Sequence, residues 1–176
     1  MKSVSRTLKI VSTFLLAPLI STYSYSACHE KIRPALDVKG DLALDHNSGL
    51  IWQRCALGTR WNNRTKQCDG KVNGLTRNEA LVVARRSGSE WRVPSATELA
   101  SLRINTCRGP KIDTRVFPNV TSSDLGEGMN FWTSTRAISP DTFYYLNFAD
   151  GSFDFHSEGF KLAVILVRDK QIRFAK

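Results

Sequence analysis

The residues of this chain best suited to binding chemistry are two groups of arginine and lysine, one of them beside a tryptophan. The first group lies on and just after the polar stretch between Cys55 and Cys68 and consists of Arg60, Arg64, Lys66 and Lys71. The second group, in a stretch rich in Gly, Pro, Asp, Ser and Asn, consists of Arg108, Lys111 and Arg115. Guanidinium groups form paired hydrogen bonds with sulfate and carboxylate, and lysine adds a point charge. Trp61, within the first group, can stack on a sugar face. The pattern predicts a site for an anionic ligand.

Other arginines and tryptophans have structural interpretations. Arg85 and Arg86 fall at the end of a predicted helix, where positive charge complements the helix dipole. We expect Arg54 and Arg92 to be buried partners of acids, and we leave both out of the site. Large aromatic side chains are mostly buried, so three tryptophans are assigned to the core: Trp52, Trp91 and Trp132.

Catalysis is not indicated by the titratable residues. An enzyme needs a positioned base or nucleophile, and the histidines fall near the N terminus, in a turn and at a strand end, as His29, His46 and His156. His156 is followed by Ser157 and Glu158, but adjacent residues rarely converge on one reaction centre, and no nucleophile elbow is present. We therefore predict a protein that is not an enzyme and needs no cofactor.

Metal binding is not indicated either. Calcium requires oxygen ligands clustered on a loop, whereas the carboxylates of Asp141, Asp150 and Asp154 occupy separate turn and strand positions and are interpreted as solvated. Zinc would use the cysteines, but their spacings are irregular and no histidine lies near Cys55, Cys68 or Cys107. We predict no metal site.

The N terminus has the pattern of a secretory signal peptide. A basic start is followed by an apolar run, Ile10 to Ile20, and by small residues up to Ala27. The run is shorter than the roughly 20 apolar residues that span a bilayer. We place cleavage after Ser26, with Ala27 as the alternative, and predict a periplasmic or secreted protein without a membrane span. Cys28 raises the question of lipidation, but Tyr25 stands where a lipobox has a leucine-like residue.

The charge of the predicted mature chain is strongly positive. The whole chain of 176 residues carries +9. Removing the signal peptide, with Lys2, Arg6 and Lys9 and no acid, leaves +6 on residues 27–176. That length fits one domain with a sizeable core. The positive balance favours an anionic partner, although it also serves solubility.

Four cysteines in an exported chain predict two disulfides. Three pairings are possible. Cys55 and Cys68 bracket a polar stretch, so joining them closes a surface loop, and Cys28 would then tie the N-terminal arm to Cys107. In the chain-entropy model, a bridge that closes so long a loop stabilises the folded domain by about 3–5 kcal/mol.

The elements that must position these side chains follow a simple order. A hairpin is predicted from Gly40 to Arg54, with its turn at residues 46–49. Two helices follow, each opened by a capping box: Thr76 with Glu79, ending at Gly88, and Ser95 with Glu98. A long loop covers 108–129. Strands are then predicted at 131–135, 142–148, 152–155 and 162–167, the last a near-continuous apolar run that we expect to be central. This order predicts an α+β domain whose helices are segregated from one antiparallel sheet.

The chain resembles the Lcl C-terminal domain family from about Asp41 to Asp169. The motifs that carry the resemblance are Asp45 to Cys55, Gly58 to Trp61, Cys68 to Gly70, Asn78 to Ala80, Trp91 to Pro94 with Glu98-Leu99, Val116 to Asn119, Phe131 to Thr135, Asn147-Phe148 with Asp150-Gly151, and Val167-Arg168. The family is similar in fold to C-type-lectin-like domains. We therefore divide the chain into the signal peptide predicted from its N-terminal pattern (1–26), an N-terminal arm (27–40), the Lcl C-terminal-like domain that the resemblance implies (41–170) and a tail (171–176).

The resemblance also implies a function. The family takes its name from a bacterial collagen-like adhesin whose C-terminal domain binds glycosaminoglycans and sulfated polysaccharides and forms oligomers. This chain has no Gly-X-Y collagen repeat, which argues against a fibrous multivalent adhesin. We therefore expect a non-catalytic domain that binds an anionic, sulfated or uronic, polysaccharide at the cell surface, as a monomer or homo-oligomer, with no nucleic-acid partner. The alternative is an accessory subunit that binds a surface protein in an assembly such as a pilus or secretion system.

Overall fold

The computed structural model describes residues 36–88, 90–118, 120 and 129–170. The predicted signal peptide, the possible lipidation of Cys28, the C-terminal tail and most of the N-terminal arm lie outside these residues. Much of the predicted long loop does so too.

The described chain is built from short antiparallel strands and two helices. The strands are β1 (Leu36–Lys39), β2 (Leu42–Asp45), β3 (Leu50–Gln53), β4 (Thr59–Asn62), β5 (Gln67–Gly70), β6 (Asn130–Arg136), β7 (Thr142–Asn147), β8 (Phe153–Ser157) and β9 (Val167–Asp169); the helices are α1 (Arg77–Arg86) and α2 (Ala96–Ser101). They form the sheets β1-β2-β3-β9, β4-β5 and β6-β7-β8. The α+β class is confirmed, but the expectation of one sheet is wrong, because the described strands divide among three.

Both predicted capping boxes begin helices. In α1 the Thr76 hydroxyl accepts from the backbone N–H of Glu79, whose carboxylate accepts from the Thr76 N–H at 2.8 Å. In α2, Ser95 and Glu98 make the same exchange. Each box satisfies two N–H groups that a helix start leaves unpaired. The start of each helix is therefore set by local sequence.

The apolar segment from Leu162 to Val167 is buried throughout, but only its last residue belongs to a strand. The prediction of a continuous central strand is therefore wrong. Its backbone groups bond in turn to separate parts of the chain: Leu162 to Leu75, Ala163 to both Asn130 and Trp132, Val164 to Leu57, Leu166 to Gln53, and Val167 to Arg92. Because no single partner strand runs along it, the segment bonds to β3 of the first sheet, to β6 of the third sheet and to residues outside the strands, instead of adding a regular ladder to one sheet.

Two apolar clusters fill the interior. One contains Trp52 with Phe131 and Phe148; the other, beneath α1, contains Trp132 with Phe143. Both tryptophans are fully buried, as predicted, whereas Trp91 is half-buried against the edge of the second cluster. Neither helix of the described residues has the length or apolar character needed to cross a membrane.

Candidate functional site

The polar stretch between the two linked cysteines is a hairpin. Cys55 and Cys68 are joined by a disulfide, as predicted. β4 lies within the loop that this disulfide closes and pairs in antiparallel register with β5, which runs through Cys68 to Gly70; Trp61 is opposite Cys68. Sequence reasoning anticipated only a surface loop. Cys107 is also disulfide-bonded, and its predicted partner, Cys28, lies outside the described residues.

One asparagine builds the hairpin turn. The Asn62 carboxamide oxygen accepts from the backbone N–H groups of Arg64 at 2.9 Å and Thr65 at 3.3 Å, and the Asn62 carbonyl accepts from the Lys66 N–H. Such local side-chain bonds favour turns over strands. Lys66 adopts a left-handed backbone conformation, with φ of 57°. The turn thus places two predicted site cations at the tip of a constrained hairpin.

The cations of this first group are exposed. Arg60, Arg64, Lys66 and Lys71 all project into solvent. None makes an ion pair with another described residue. Arg60 lies opposite Asp69 in the hairpin register, so a carboxylate of opposite charge lies near its guanidinium. Asp69, however, bonds to the Asn62 amide at 2.7 Å. Arg64, Lys66 and Lys71 therefore carry the uncompensated charge of the hairpin.

Arg54 fixes the hairpin to the rest of the domain. The residue is 6% exposed, and its guanidinium donates to the carbonyls of Gly40 at 2.7 Å, Val116 at 2.8 Å and Arg115 at 3.0 Å. It also lies 3.8 Å from the centre of the Trp61 ring. The expectation of an acidic partner is wrong in detail, because the partners are carbonyl oxygens and an aromatic face. Burial lowers the pKa of Arg54, and the charge of Asp41 partly opposes this effect.

A polar cleft of about 420 Å³ opens beside Trp61. The indole and Arg60 line it together with the side chains of Asp41, Gln53 and Asn63, among others. Arg54 does not line the cleft, so the indole lies between a buried cation and the open surface. The indole N–H is held by Asn63 at 2.9 Å. An aromatic ring with amide and carboxylate groups around it is suited to hydrogen-bonding, hydroxyl-rich ligands.

Close packing under the hairpin fixes the position of this cleft. Gly58 has φ of +97°, and a Cβ there would meet the Lys71 carbonyl oxygen at 2.4 Å. Only glycine fits so close an approach without a shift of backbone. The Asn73 N–H then bonds to the Leu57 carbonyl at 2.9 Å. The base of the hairpin, from which Lys71 projects, is therefore rigidly placed.

The structure separates the members of the second predicted group. The Arg115 guanidinium forks onto the Asp113 carboxylate at 2.9 and 3.1 Å. Lys111 is half-buried and its ammonium donates to the Thr106 carbonyl. Arg108 is exposed and lines a small cleft of about 190 Å³ together with Arg115. Of these three cations, Arg108 is the one whose side chain makes no hydrogen bond to another described residue.

Lys111 lines a different cleft with an arginine that the sequence analysis did not select. Arg103 and Lys111 face Asp150 and Gly151 in a space of about 340 Å³. The Arg103 guanidinium donates to the Gly151 carbonyl at 2.8 Å. Hydrogen bonds from Ser152 lower the pKa of Asp150, and the charge of Lys111 adds to this effect. No local motif marks Arg103, since it follows α2 in an ordinary stretch of chain.

The structure therefore brings the first group of predicted site residues close to one member of the second group, Arg115. Arg54 contacts the Trp61 ring on one side and the Arg115 carbonyl on the other. The hairpin and the start of the long loop thus adjoin through one buried side chain. Lys111 and Arg103 lie in a separate cleft. Gln53 and Asp41, which the sequence analysis missed, share the Trp61 cleft. For Gln53 the sequence does carry a signal, because alternate residues of β3 face the core and Gln53 is on the other face.

Arg92, by contrast, pairs with acids as expected, although it is half-buried and not buried. It forks onto Glu98, with both distances 2.7 Å, and reaches Asp169 at 3.1 Å. The hydrogen bonds between Arg92 and Glu98 are the main cause of two pKa shifts. They lower the pKa of Glu98 and raise that of Arg92. The pair ties the start of α2 to β9, and it is a structural feature and not part of the cleft.

Acid, cysteine and histidine side chains do not gather in the described ranges into a group of three that could hold a metal ion. His46 bonds to Asp37 at 2.6 Å on the surface, while His156 stacks on Phe160 with ring centres 3.8 Å apart.

Fold and surface together define an α+β domain with a disulfide-closed basic hairpin. The chain belongs to the Lcl C-terminal domain family, whose model matches residues 41–168. Among curated proteins, none matches the chain.

Proposed function

We propose that this protein is an exported, non-catalytic domain of C-type-lectin-like fold that binds anionic, sulfated or uronic, polysaccharide in the periplasm or outside the cell. The observation that carries the proposal is the surface of the β4–β5 hairpin. A polar cleft at Trp61 lies beside three exposed cations without acidic partners among the described residues: Arg64, Lys66 and Lys71.

The two parts of this surface have complementary roles. The cleft offers an indole and the amides of Gln53 and Asn63 to a sugar ring. The neighbouring cations supply charge-assisted hydrogen bonds to sulfate or carboxylate groups further along the ligand. A disulfide and a buried arginine hold both parts in place, so little ordering accompanies binding. The Cys55–Cys68 disulfide also suits an oxidising, extracytoplasmic compartment.

Chromatography on immobilised heparin, with elution by rising NaCl, tests the proposal. The test variant combines Arg64→Gln, Lys66→Asn and Lys71→Gln; asparagine suits the left-handed conformation of Lys66. The control removes equal charge elsewhere on the exposed surface, with Arg85→Gln, Arg86→Gln and Lys170→Gln. Binding of polyanions by several cations is steeply salt-dependent, with a logarithmic slope of roughly 0.7–0.9 per contact.

We expect the test variant to elute at lower salt than both the parent and the control, with a slope reduced by about two. Elution of the unmodified protein at or below physiological ionic strength would contradict the proposal. An equal fall in the eluting salt concentration of the test and control variants would also contradict it, because binding would then depend on total charge and not on the position of the cations.

The second candidate function is that of an accessory subunit that binds a surface protein, and one observation favours it. An apolar cleft of about 540 Å³ lies on the outer face of the first sheet, over Leu42, Leu44 and Ile51. At its edge Val38 is 51% exposed. Exposed apolar surface is typical of protein contacts. Elution of the unmodified protein from heparin at or below physiological ionic strength would favour this candidate over polysaccharide binding.

A further inference from the structure

Two guanidinium groups lie on one aromatic ring at the edge of the second core cluster. The guanidinium carbon of Arg77 is 3.6 Å from the centre of the Phe143 ring, and that of Arg136 is 5.2 Å from the same centre. Phe143 is fully buried. Strand pairing sets the row, because Phe143 is opposite Arg136 across β6–β7 and opposite His156 across β7–β8. The two cations are therefore placed by the sheet and by the start of α1.

These cations make no direct ion pair among the described residues. The Nε of Arg77 is buried without a hydrogen-bond partner, and the terminal nitrogens of both arginines bond to no described group. Glu158 acts on Arg77 only through its charge, and its backbone carbonyl accepts from the Arg77 backbone N–H at 3.0 Å. Arg136 is exposed, whereas the Nε of Arg77 is a buried polar atom without a hydrogen bond to a described group. Such atoms are uncommon, and a missing ion is one explanation for them.

The electrostatics favour an anion at this place. Burial lowers the pKa of Arg77, and the positive charge of Arg136 lowers it further. Arg77 is the first residue of α1, where the helix dipole adds partial positive charge. The capping box occupies backbone N–H groups of this turn, so a ligand would meet the arginine side chains. An anion between two like charges relieves their repulsion.

Aromatic packing leaves the donors of these arginines available. A guanidinium placed over a ring makes no hydrogen bond to the ring edge, so its N–H groups can still form paired hydrogen bonds with an oxyanion. His156 is stacked against Phe160, with planes 2° apart, and against Tyr145, at 20°. These rings form a stiff border beside Phe143. No side chain of this row lines the Trp61 cleft.

We propose that Arg77 and Arg136 form a second anion site, separate from the hairpin surface, which takes one oxyanion group of the sulfate, phosphate or carboxylate class. The ligand is a free ion or a charged group of a longer molecule. The site does not depend on the proposed polysaccharide function.

Titration of the ¹⁵N-labelled protein with sodium sulfate at constant ionic strength tests this site. The readout is the set of backbone amide shifts at Arg77, Phe143 and His156. The variant Arg136→Gln removes one guanidinium group of the site, and Arg136→Lys keeps the charge but not the planar guanidinium. The control variant Arg85→Gln removes an exposed charge elsewhere. A heparin-derived disaccharide replaces sulfate in a second series and distinguishes a free ion from a carried group.

We expect saturable shifts in the unmodified protein and in Arg85→Gln. Affinity should fall about tenfold in Arg136→Gln, the effect of losing one hydrogen-bonded charged group, and by less in Arg136→Lys. Tighter binding of the disaccharide would identify a carried group, and equal or weaker binding a free ion. Linear, non-saturating shifts would overturn the proposal, as would equal affinities in Arg136→Gln and Arg85→Gln. Heparin retention of Arg136→Gln on the column reports separately on the hairpin.

Discussion

Replacement of Arg54 by methionine should destabilise the domain and loosen the candidate surface together. Methionine fills much of the same space but donates no hydrogen bond. The change leaves three carbonyls without their partner, those of Gly40, Arg115 and Val116. It also removes the contact with the Trp61 ring. The perturbation therefore separates the hairpin from the long loop without removing any exposed charge.

The magnitude follows from these contacts. Each carbonyl left unpaired costs up to about 1–3 kcal/mol, with less at the exposed residues Gly40 and Arg115, where water can enter. A desolvated cation–π contact contributes about 2 kcal/mol. Relief of the desolvation of a buried guanidinium, the main cause of its lowered pKa, offsets part of this loss. We expect a net loss of about 3–4 kcal/mol, or a fall in Tm of roughly 10 °C for a domain of this size.

Urea denaturation at pH 7, followed by circular dichroism, measures the loss. Arg54→Lys should fall between parent and Arg54→Met, because lysine keeps the charge but lacks the planar fork. The control Arg64→Met, at an exposed position, should change stability by no more than about 0.5 kcal/mol. If Arg54→Met lies within 1 kcal/mol of the parent, roughly the scatter expected for ordinary substitutions, the assignment of Arg54 as the link between hairpin and loop is refuted.

Three further predictions concern stability. Trp132→Phe should cost about 1–2 kcal/mol more than Trp52→Phe in urea denaturation. The Trp132 N–H bonds to a backbone carbonyl at 2.8 Å, whereas the equally buried Trp52 N–H has no partner among the residues that the structure describes; equal losses would contradict this. Replacing both Cys55 and Cys68 by alanine should lower the free energy of unfolding by about 3 kcal/mol, from the added chain entropy of the unfolded state, and an unchanged Tm would count against it. The lowered pKa of Glu98 means that its contribution is fully present above the unfolded-state value near 4.5 and is lost as pH falls through the folded-state pKa. The stability difference between parent and Glu98→Gln should therefore shrink between pH 6 and pH 3, and a difference that stays constant would exclude the linkage.

Local signals in the sequence were sufficient for several elements. Both helices start where their capping boxes predict, since each box satisfies its own backbone groups. The turn at Asp150 and Gly151 joins β7 to β8 as predicted, with glycine at φ of +82°. These features depend on neighbours in sequence, which is why one sequence suffices to place them.

Features that depend on distant partners were not predictable in the same way. The apolar run at 162–167 has the composition of a strand, but its bonding partners come from five other parts of the chain. The partners of Arg54 are carbonyls, which carry no side-chain signature. Likewise the separation of Lys111 from Arg108 follows from how the chain folds back over Phe148, to whose carbonyl the Lys111 N–H donates.

The most direct test of the proposed function is a glycan array probed with the purified, disulfide-intact protein at physiological ionic strength. The account predicts binding confined to sulfated or uronic glycans, with loss of signal in the Arg64, Lys66 and Lys71 variant and retention in the matched surface control. Binding to neutral glycans of equal strength, or no binding to any anionic glycan, would contradict it.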